Sequence, residues 1–470
     1  MIASVRKKLP RVVRSWIGAH GVPACLLVAW LALSGSGCKE SDSPVASAPV
    51  SGRTVTGRVL ESPLDRPVAF ARVGLHSTAR IRFVLSDAAG NFIMTGVTQG
   101  SYRLVVERAG YDSLSVEVPQ GVRDTSFVTA RLIRSAAVPA TKPVGRGMYR
   151  IANRQLEEDY NGDGVYSRLE VKGVAFSPAV IGSNTTTSAV IDRSMLFLDT
   201  LNANAIRTYS GADPHLLVRA AERGIGVIVS YWVETSYNLA DPAAREAVLE
   251  GFARMVAGLR TYQSVMLWNL GNEQNYTNGN NPYWYDLVQE LAITAFEIEG
   301  EYYHPVCASN GDIQTIGDPA KRSTDSLLSY MDLWGTNIYK MNLTSSLSTF
   351  RARSGKPLVI TEFGIDALDN RTKLEYEGVQ ALIDSTNWAQ IRAAGDVCVG
   401  ATVFEFTDEW WKAGDAARHD YGGYATGEHP DGYSNEEWWG LIAVTPDTNG
   451  DGFDEWRPRA AFRMFQRVWQ

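Results

Sequence analysis

The chain has 470 residues, with 45 Lys+Arg against 52 Asp+Glu and a formal net charge of −7. Nothing in that acidic balance suits a nucleic acid. With only four cysteines, the fold has to rest on an apolar core, for which this length is ample.

Residues 1–37 read as a secretory signal. Arg6, Lys7, Lys8, Arg11 and Arg14 form a basic start, and the short apolar run from Cys25 to Leu33 follows. That run is too short for a stable membrane span. SGSGC then ends at Cys38. A Cys directly after small residues resembles a bacterial lipoprotein cleavage site, with Cys38 the lipidated residue. The expected location is the cell envelope, held to the membrane by that lipid. Ordinary cleavage and secretion, or an uncleaved anchor, are the alternatives. Residues 39–53, rich in Ser, Pro and Ala, read as a tether.

From 54 to 133 the pattern becomes short alternating strands, such as TVTGRVL, FARVGLHS, YRLVVER and SLSVEV, separated by turn residues. That is the signature of a small all-β sandwich. The run SDAAGNFIMTGVTQGSYRLVVERAGY carries Asp87, Gly90, Phe92, Gly100, Tyr102, Gly110 and Tyr111. It resembles the carboxypeptidase regulatory-like domain, a prealbumin-like sandwich. Each of these residues is a turn former or a core aromatic, so the likeness speaks for fold and not for activity. Few aromatics suggest a binding face, which favours a spacer over a glycan-binding module. A second linker is expected at 134–146.

The remainder, 147–470, repeats a strand-and-helix pattern. Apolar runs ending in polar residues stand at 171–178, 204–210, 226–232, 265–273, 305–311, 332–339, 357–364 and 400–408. Amphipathic stretches of helical length lie between them, among them 242–259, 284–298 and 376–394. Eight such units predict an α/β fold, a (β/α)8 TIM barrel, whose chemistry sits at the C-terminal tips of the strands. Two glutamates end strands there: Glu273 closes the fourth run in WNLGNEQN and Glu362 the seventh in PLVITEFG. Their spacing of 89 residues fits about three units of roughly 30 residues. Two carboxyl groups delivered from different strands can cleave an acetal with retention, one protonating the leaving oxygen and the other attacking the sugar carbon. The retaining arrangement puts them about 5–5.5 Å apart. Asp408 and Glu409, just past the eighth run, are rival acids read as loop or subsite residues.

These motifs resemble the clan A glycoside hydrolases, a retaining (β/α)8 group. The order KGVAFSP, IRTY, GNE, NIY and TEFG is most similar to the family 2 catalytic domain and to fungal-type β-1,3-glucanosyltransferases. The resemblance implies that Glu273 is the acid/base and Glu362 the nucleophile. It implies that Arg207 keeps the nucleophile ionised, that Tyr339 hydrogen-bonds it, and that Asn272 bonds the sugar 2-hydroxyl. Many clan members carry a Trp at the tip of strand eight. This chain reads VFEFTDEWW there, and Phe404, Phe406 or Trp410 is left to take that place. Trp268, Tyr276, Trp284 and Tyr285 lie near Glu273 in sequence and are candidates for an apolar wall that raises its pKa. Trp232 and Trp410 are taken as substrate-stacking residues. Trp284, Trp411, Trp438 and Trp439 also fall at strand ends or in the loops after them. The long loop from about 409 to 440 is expected to build part of the cleft, with His419 and His429 solvated in it.

DYNGDGVYSRLE (159–170) fits a calcium-loop pattern, and DTNGDGFDE from Asp447 begins the same way. Such strings also make ordinary turns, and no metal is assigned to the reaction. No cofactor is expected. Cys307 and Cys398 fall on strands that are not neighbours, so two buried thiols are expected, not a disulfide. The resulting expectation is a retaining β-glycosidase or transglycosidase acting on a β-linked polysaccharide, a β-glucan first. A glycan-binding surface lipoprotein without turnover is the alternative.

Overall fold

The computed structural model describes residues 52–470, apart from 64, 69–70, 78–80, 88, 109–110, 119–124, 134–141 and 278–282. The signal segment, Cys38 and nearly all of the 39–53 tether lie outside the described residues.

Residues 53–133 form two packed sheets. In one, the strand Arg53–Ser62 pairs antiparallel with Asn91–Val97 and parallel with Thr125–Ile133. In the other, the order is Ile81–Leu85, Arg72–His76, Arg103–Glu107, Leu114–Glu117. Alternate residues point inward, as the period of two requires. Val55, Val59, Val73, Leu75, Phe92, Leu104, Val128 and Leu132 make the core between the sheets.

Eight parallel strands close into a barrel in sequence order. They are β1 (Val171–Ala175), β2 (Ala205–Arg207), β3 (Gly226–Tyr231), β4 (Val265–Asn272), β5 (Val306–Gly311), β6 (Trp334–Asn337), β7 (Leu358–Phe363) and β8 (Cys398–Val403), and β8 pairs back onto β1. Each lies within or beside one of the eight runs read from the sequence. The outer layer holds α1 (Ser188–Leu201), α2 (Pro214–Ala221), α3 (Pro242–Leu259), α4 (Tyr283–Glu299), α5 (Thr344–Arg353), α6 (Glu377–Ala393) and α7 (Ala460–Val468). Local chemistry sets where these helices start. In both α2 and α3 an Asp, Asp213 or Asp241, caps the first turn and a Pro follows it. The carboxylate takes an otherwise orphaned N–H, and Pro costs nothing where no N–H is needed. The unit after β5 breaks the pattern: it has a single 3-10 turn, Pro319–Lys321, in place of a helix.

The main core lies between strands and helices. A second layer, with Tyr149 and Leu156 of the hairpin Tyr149–Ala152/Gln155–Glu158, plugs the N-terminal end of the barrel against Val171, Met266, Leu267 and Val359. The two calcium-like strings form turns closed on themselves. Asp159 accepts the N–H groups of Asp163 and Gly164, and Asp447 those of Gly450 and Gly452. Among the described residues no group of three or more His, Cys, Asp or Glu is placed to hold a metal ion. Cys307 and Cys398 are buried free thiols, and burial pushes both up to about 12.

The sandwich packs on the helix layer. Leu85 lies against the barrel core, and Arg108 reaches Glu297 of α4 at 3.3 Å. Residues 142–146 are bound as well: Lys142 Nζ is 2.6 Å from Asp332, and the Tyr303 hydroxyl donates to the Pro143 carbonyl. Burial raises Glu297 to about 7, and Arg108 opposes that rise. A carboxyl raised in this way costs stability once pH climbs through its folded pKa, so its cation partner matters most when it is ionised. Arg108→Ala is therefore expected to destabilise the protein by about 1–3 kcal/mol near ~pH 8 and by much less near ~pH 5. Melting temperatures at the two pH values check this, and an equal shift at both would refute it.

Candidate active site

Strand geometry explains why the polar residues collect at one end. On β2, Arg207 points into the barrel and is fully buried. A buried guanidinium must be paired. Its Nη1 reaches Glu362 Oε1 at 2.5 Å and the Thr361 carbonyl at 3.1 Å, and its Nη2 donates to Asn272 Oδ1 at 2.8 Å. Two residues further along the same face, the Tyr209 hydroxyl donates to Glu362 Oε1 at 2.9 Å. The Tyr339 hydroxyl, just beyond β6, donates to Glu362 Oε2. Burial, followed by the charge of Glu362, pushes both tyrosines well above the usual phenol range, so both keep their protons. Glu362 thus faces three donors, one of them a cation, an arrangement suited to an anion.

Glu273 differs in kind. It follows β4 with φ of 54°, in the left-handed region that a non-glycine residue adopts at a cost. Its N–H donates to the Ser309 carbonyl at 2.9 Å, and Asn337 Nδ2 donates to Oε1 at 2.9 Å. Burial, then the negative charge of Glu362, raises it to about 7, against the opposing pull of Asn337 and Arg207. Glu362 is held by Arg207, Tyr209 and Tyr339, whereas Glu273 meets Asn337, so the two carboxyl groups stand in unlike surroundings. Asn272 spends its carbonyl oxygen on Arg207 and Asn337, which leaves its N–H groups for a ligand.

The wall of the site only partly follows the sequence expectation. Tyr276 lies beside Glu273, and burial, then the charge of Glu273, raises it. Trp268, Trp284 and Tyr285 do not line the site. They pack in the strand–helix layer, with Trp268 Nε1 bonded to Glu299 at 3.0 Å. Nearness in sequence put them near Glu273, but strand alternation turns Trp268 outward. At the tip of strand eight the place left open is filled by Phe404. Its ring meets Tyr339 at 6.0 Å and Trp439 at 5.4 Å, and Trp439 meets Tyr339 at 5.0 Å. Phe406 instead packs on Phe176. Trp410 stacks on His419 at 4.7 Å, which covers one of its faces. Trp232 stands past β3 and is 38% exposed.

The expectation for the two loop histidines is corrected. His419 is not solvated: it is sandwiched between Trp410 and Trp438 and shares a hydrogen bond with the Glu437 carbonyl at 2.9 Å. His429 is buried 3.0 Å from Asp366. Asp408 is a structural partner of Arg459, with contacts of 2.6 and 2.7 Å. Glu409 accepts from Ser177 and lies 3.3 Å from Lys412.

The family model of the carboxypeptidase regulatory-like domain matches residues 54–132. No curated protein matches the chain. Solved structures do. A family 2 β-galacturonidase from Eisenbergiella tayi has 14% identity and a TM-score of 0.50, with 86% of this chain and 67% of that one covered. A β-glucuronidase from an uncultured Clostridium has 14% identity and a TM-score of 0.50, with 87% and 64% covered. The chain spans about two thirds of the length of these proteins. At this identity the likeness speaks for fold. The chain therefore carries a carboxypeptidase regulatory-like domain followed by a TIM barrel with the fold of family 2 glycosidases.

Proposed function

We propose that this protein is a retaining β-glycosidase or transglycosidase acting on a β-linked polysaccharide, with a β-glucan the first to try. The observation that carries the reading is the division of labour between two adjacent glutamates. Glu362 is held by Arg207, Tyr209 and Tyr339, while Glu273 is raised to about 7. In the first step a Glu362 oxygen bonds to the anomeric carbon, the glycosidic C–O bond breaks, and Glu273 gives its proton to the departing oxygen. In the second, Glu273 takes a proton from water or a sugar hydroxyl. That oxygen bonds to the anomeric carbon and frees Glu362, so the configuration is retained. Tyr339 and Arg207 hold the nucleophile in line, and the Asn272 amide is placed to bond the sugar. A lipid anchor at Cys38 would keep the reaction at the cell envelope.

The test uses protein starting at Lys39, beside Glu362→Gln and Glu273→Gln, on β-glucans, mannans, galactans and xylans. New oligosaccharides from the unaltered protein are expected. Glu362→Gln should release none, and Glu273→Gln should be slower by ~10²–10⁴-fold. Proton NMR of the first product should show the β-anomer, and an α-anomer would sink the double-displacement scheme. Retention on one polymer without any products would favour a binding protein.

The pH profile is a second check. Glu273 must be protonated to act as the acid, so the rate should fall as pH rises through about 7. A rate that holds steady to ~pH 9 would remove Glu273 from that role.

A further inference from the structure

Three glutamates besides the reacting pair belong to the same end of the barrel, and the scheme above uses none of them. Glu405 and Glu409 are 1% and 3% exposed and lie 3.6 and 3.3 Å from Lys412 Nζ. The ammonium sits 3.9 Å from the centre of the Phe404 ring, and that ring packs on Tyr339, which holds Glu362. Burial opposes the charge of Lys412, but the carboxyl pair of Glu405 and Glu409 outweighs it, so Lys412 stays protonated. Burial, then the charge of Glu409, pushes Glu405 well above the carboxylate range. The two cations that border the reacting pair are therefore both engaged: Arg207 by Glu362, and Lys412 by that carboxyl pair.

Glu436 is the group left over. It follows the short strand Tyr433–Asn435, which pairs with Gly423–Ala425, and it stands three residues before Trp439, which packs on Tyr339. It is partly exposed. Among the described residues its carboxylate meets only the Ser434 hydroxyl, at 3.4 Å, with no Lys, Arg or His in ion-pair range. Its charge acts on Glu273 and Lys412, and also on Tyr424, a 55% exposed ring on the paired strand. A carboxylate without a cation, next to an open aromatic face, is a receptor for vicinal hydroxyls on a stacked ring. A sugar carboxylate brought beside Glu436 would face a like charge.

We propose that Glu436 is a specificity-determining residue that accepts hydroxyls of an uncharged sugar and excludes uronic acids from the site. The proposal rests on the glycosidase reading and sets this chain apart from the uronide-cleaving proteins whose fold it shares.

Binding tests it independently of turnover. The whole chain carrying E273Q is titrated calorimetrically with neutral β-linked gluco-, manno- and galacto-oligosaccharides and with oligouronates. At least one neutral series is expected to bind ~100-fold more tightly than any oligouronate. Adding E436Q should weaken the neutral ligand and narrow that gap by ~10-fold or more. In protein with Glu273 intact, E436Q should also move the falling limb of the pH–rate profile to lower pH, because a charge that raises Glu273 is gone. A merely structural residue would not move that limb. An oligouronate as the tightest ligand, no binding by any neutral series, or a gap unchanged by E436Q would overturn the proposal. Neutral sugars that bind with the expected gap but are never cleaved would leave it standing and remove the glycosidase reading instead.

Discussion

The buried charge of Arg207 is the constraint on which the rest of the site depends. A guanidinium with no solvent access is tolerable only if anions and carbonyls surround it, and removing one partner typically costs about 3–5 kcal/mol. Its partners are therefore fixed: Glu362 and Thr361 on β7, and Asn272 on β4. One side chain thus locks strands two, four and seven together at their tips. Glu362 cannot swing away without stranding the cation. The same contact that stabilises the barrel mouth presents the carboxylate in a single orientation.

Glu273 is held by another route, through the polar interior of the barrel. Ser230 accepts from Asn269 and Asn269 from Ser309. The one Ser309 hydroxyl proton is shared between Asn269 and Thr361, while Thr361 donates to Asn337 and Asn337 to Glu273. A polar chain of this length is safe in a buried space because each link is satisfied by the next, and a partly satisfied chain would be worse than an apolar core. The cost in apolar area inside the barrel is offset outside it, where β-strand and helix side chains such as Trp268, Trp284, Phe252 and Phe363 close the main core. Position at the mouth is then decided by strands and pKa by company: Asn337 places Glu273, and burial with Glu362 keeps it protonated.

Legibility in the sequence followed the same division. Barrel strands are apolar on both faces, so they read as runs whose last residues turn polar, and Glu273, Glu362, Arg207, Asn272 and Tyr339 all stand at such ends. Tyr209 and Asn337 were equally within reach. Each lies two residues from a named site residue, Arg207 or Tyr339, and a period of two brings them to the same face. Trp268 shows the same rule working against proximity, since it is one step out of phase with the inward Asn269. Lys412 and Glu436 had no such signal. They come from an irregular loop with no period, where a residue's neighbours are set by tertiary contacts alone. His419 and His429 failed for that reason: polar residues in a Gly- and Asp-rich stretch read as solvated until Trp410, Trp438 and Asp366 close around them. The absent helix after β5 was hidden similarly, because periodicity shows where a helix fits and not where a turn replaces one.

That loop is irregular but not loosely built, which bears on how the site selects its substrate. Asp408 at its start is tied to Arg459 before α7, and Gly440 at its end donates to the same Asp408 carboxylate. Within it, Glu437 accepts the N–H groups of Ala413 and Asp420, and Trp410, His419 and Trp438 stack in nearly parallel planes. The segment that carries Glu436 is thus clamped on both sides before any sugar arrives. The backbone that carries this carboxylate is held in place by its neighbours, so the charge stays at the same edge of the site. Under the glycosidase reading proposed above, the barrel would supply a reaction common to many sugars, so discrimination among them would fall to what the loops hold beside it. Here that is the Glu436 carboxylate, on a segment whose neighbours are fixed by aromatic stacking.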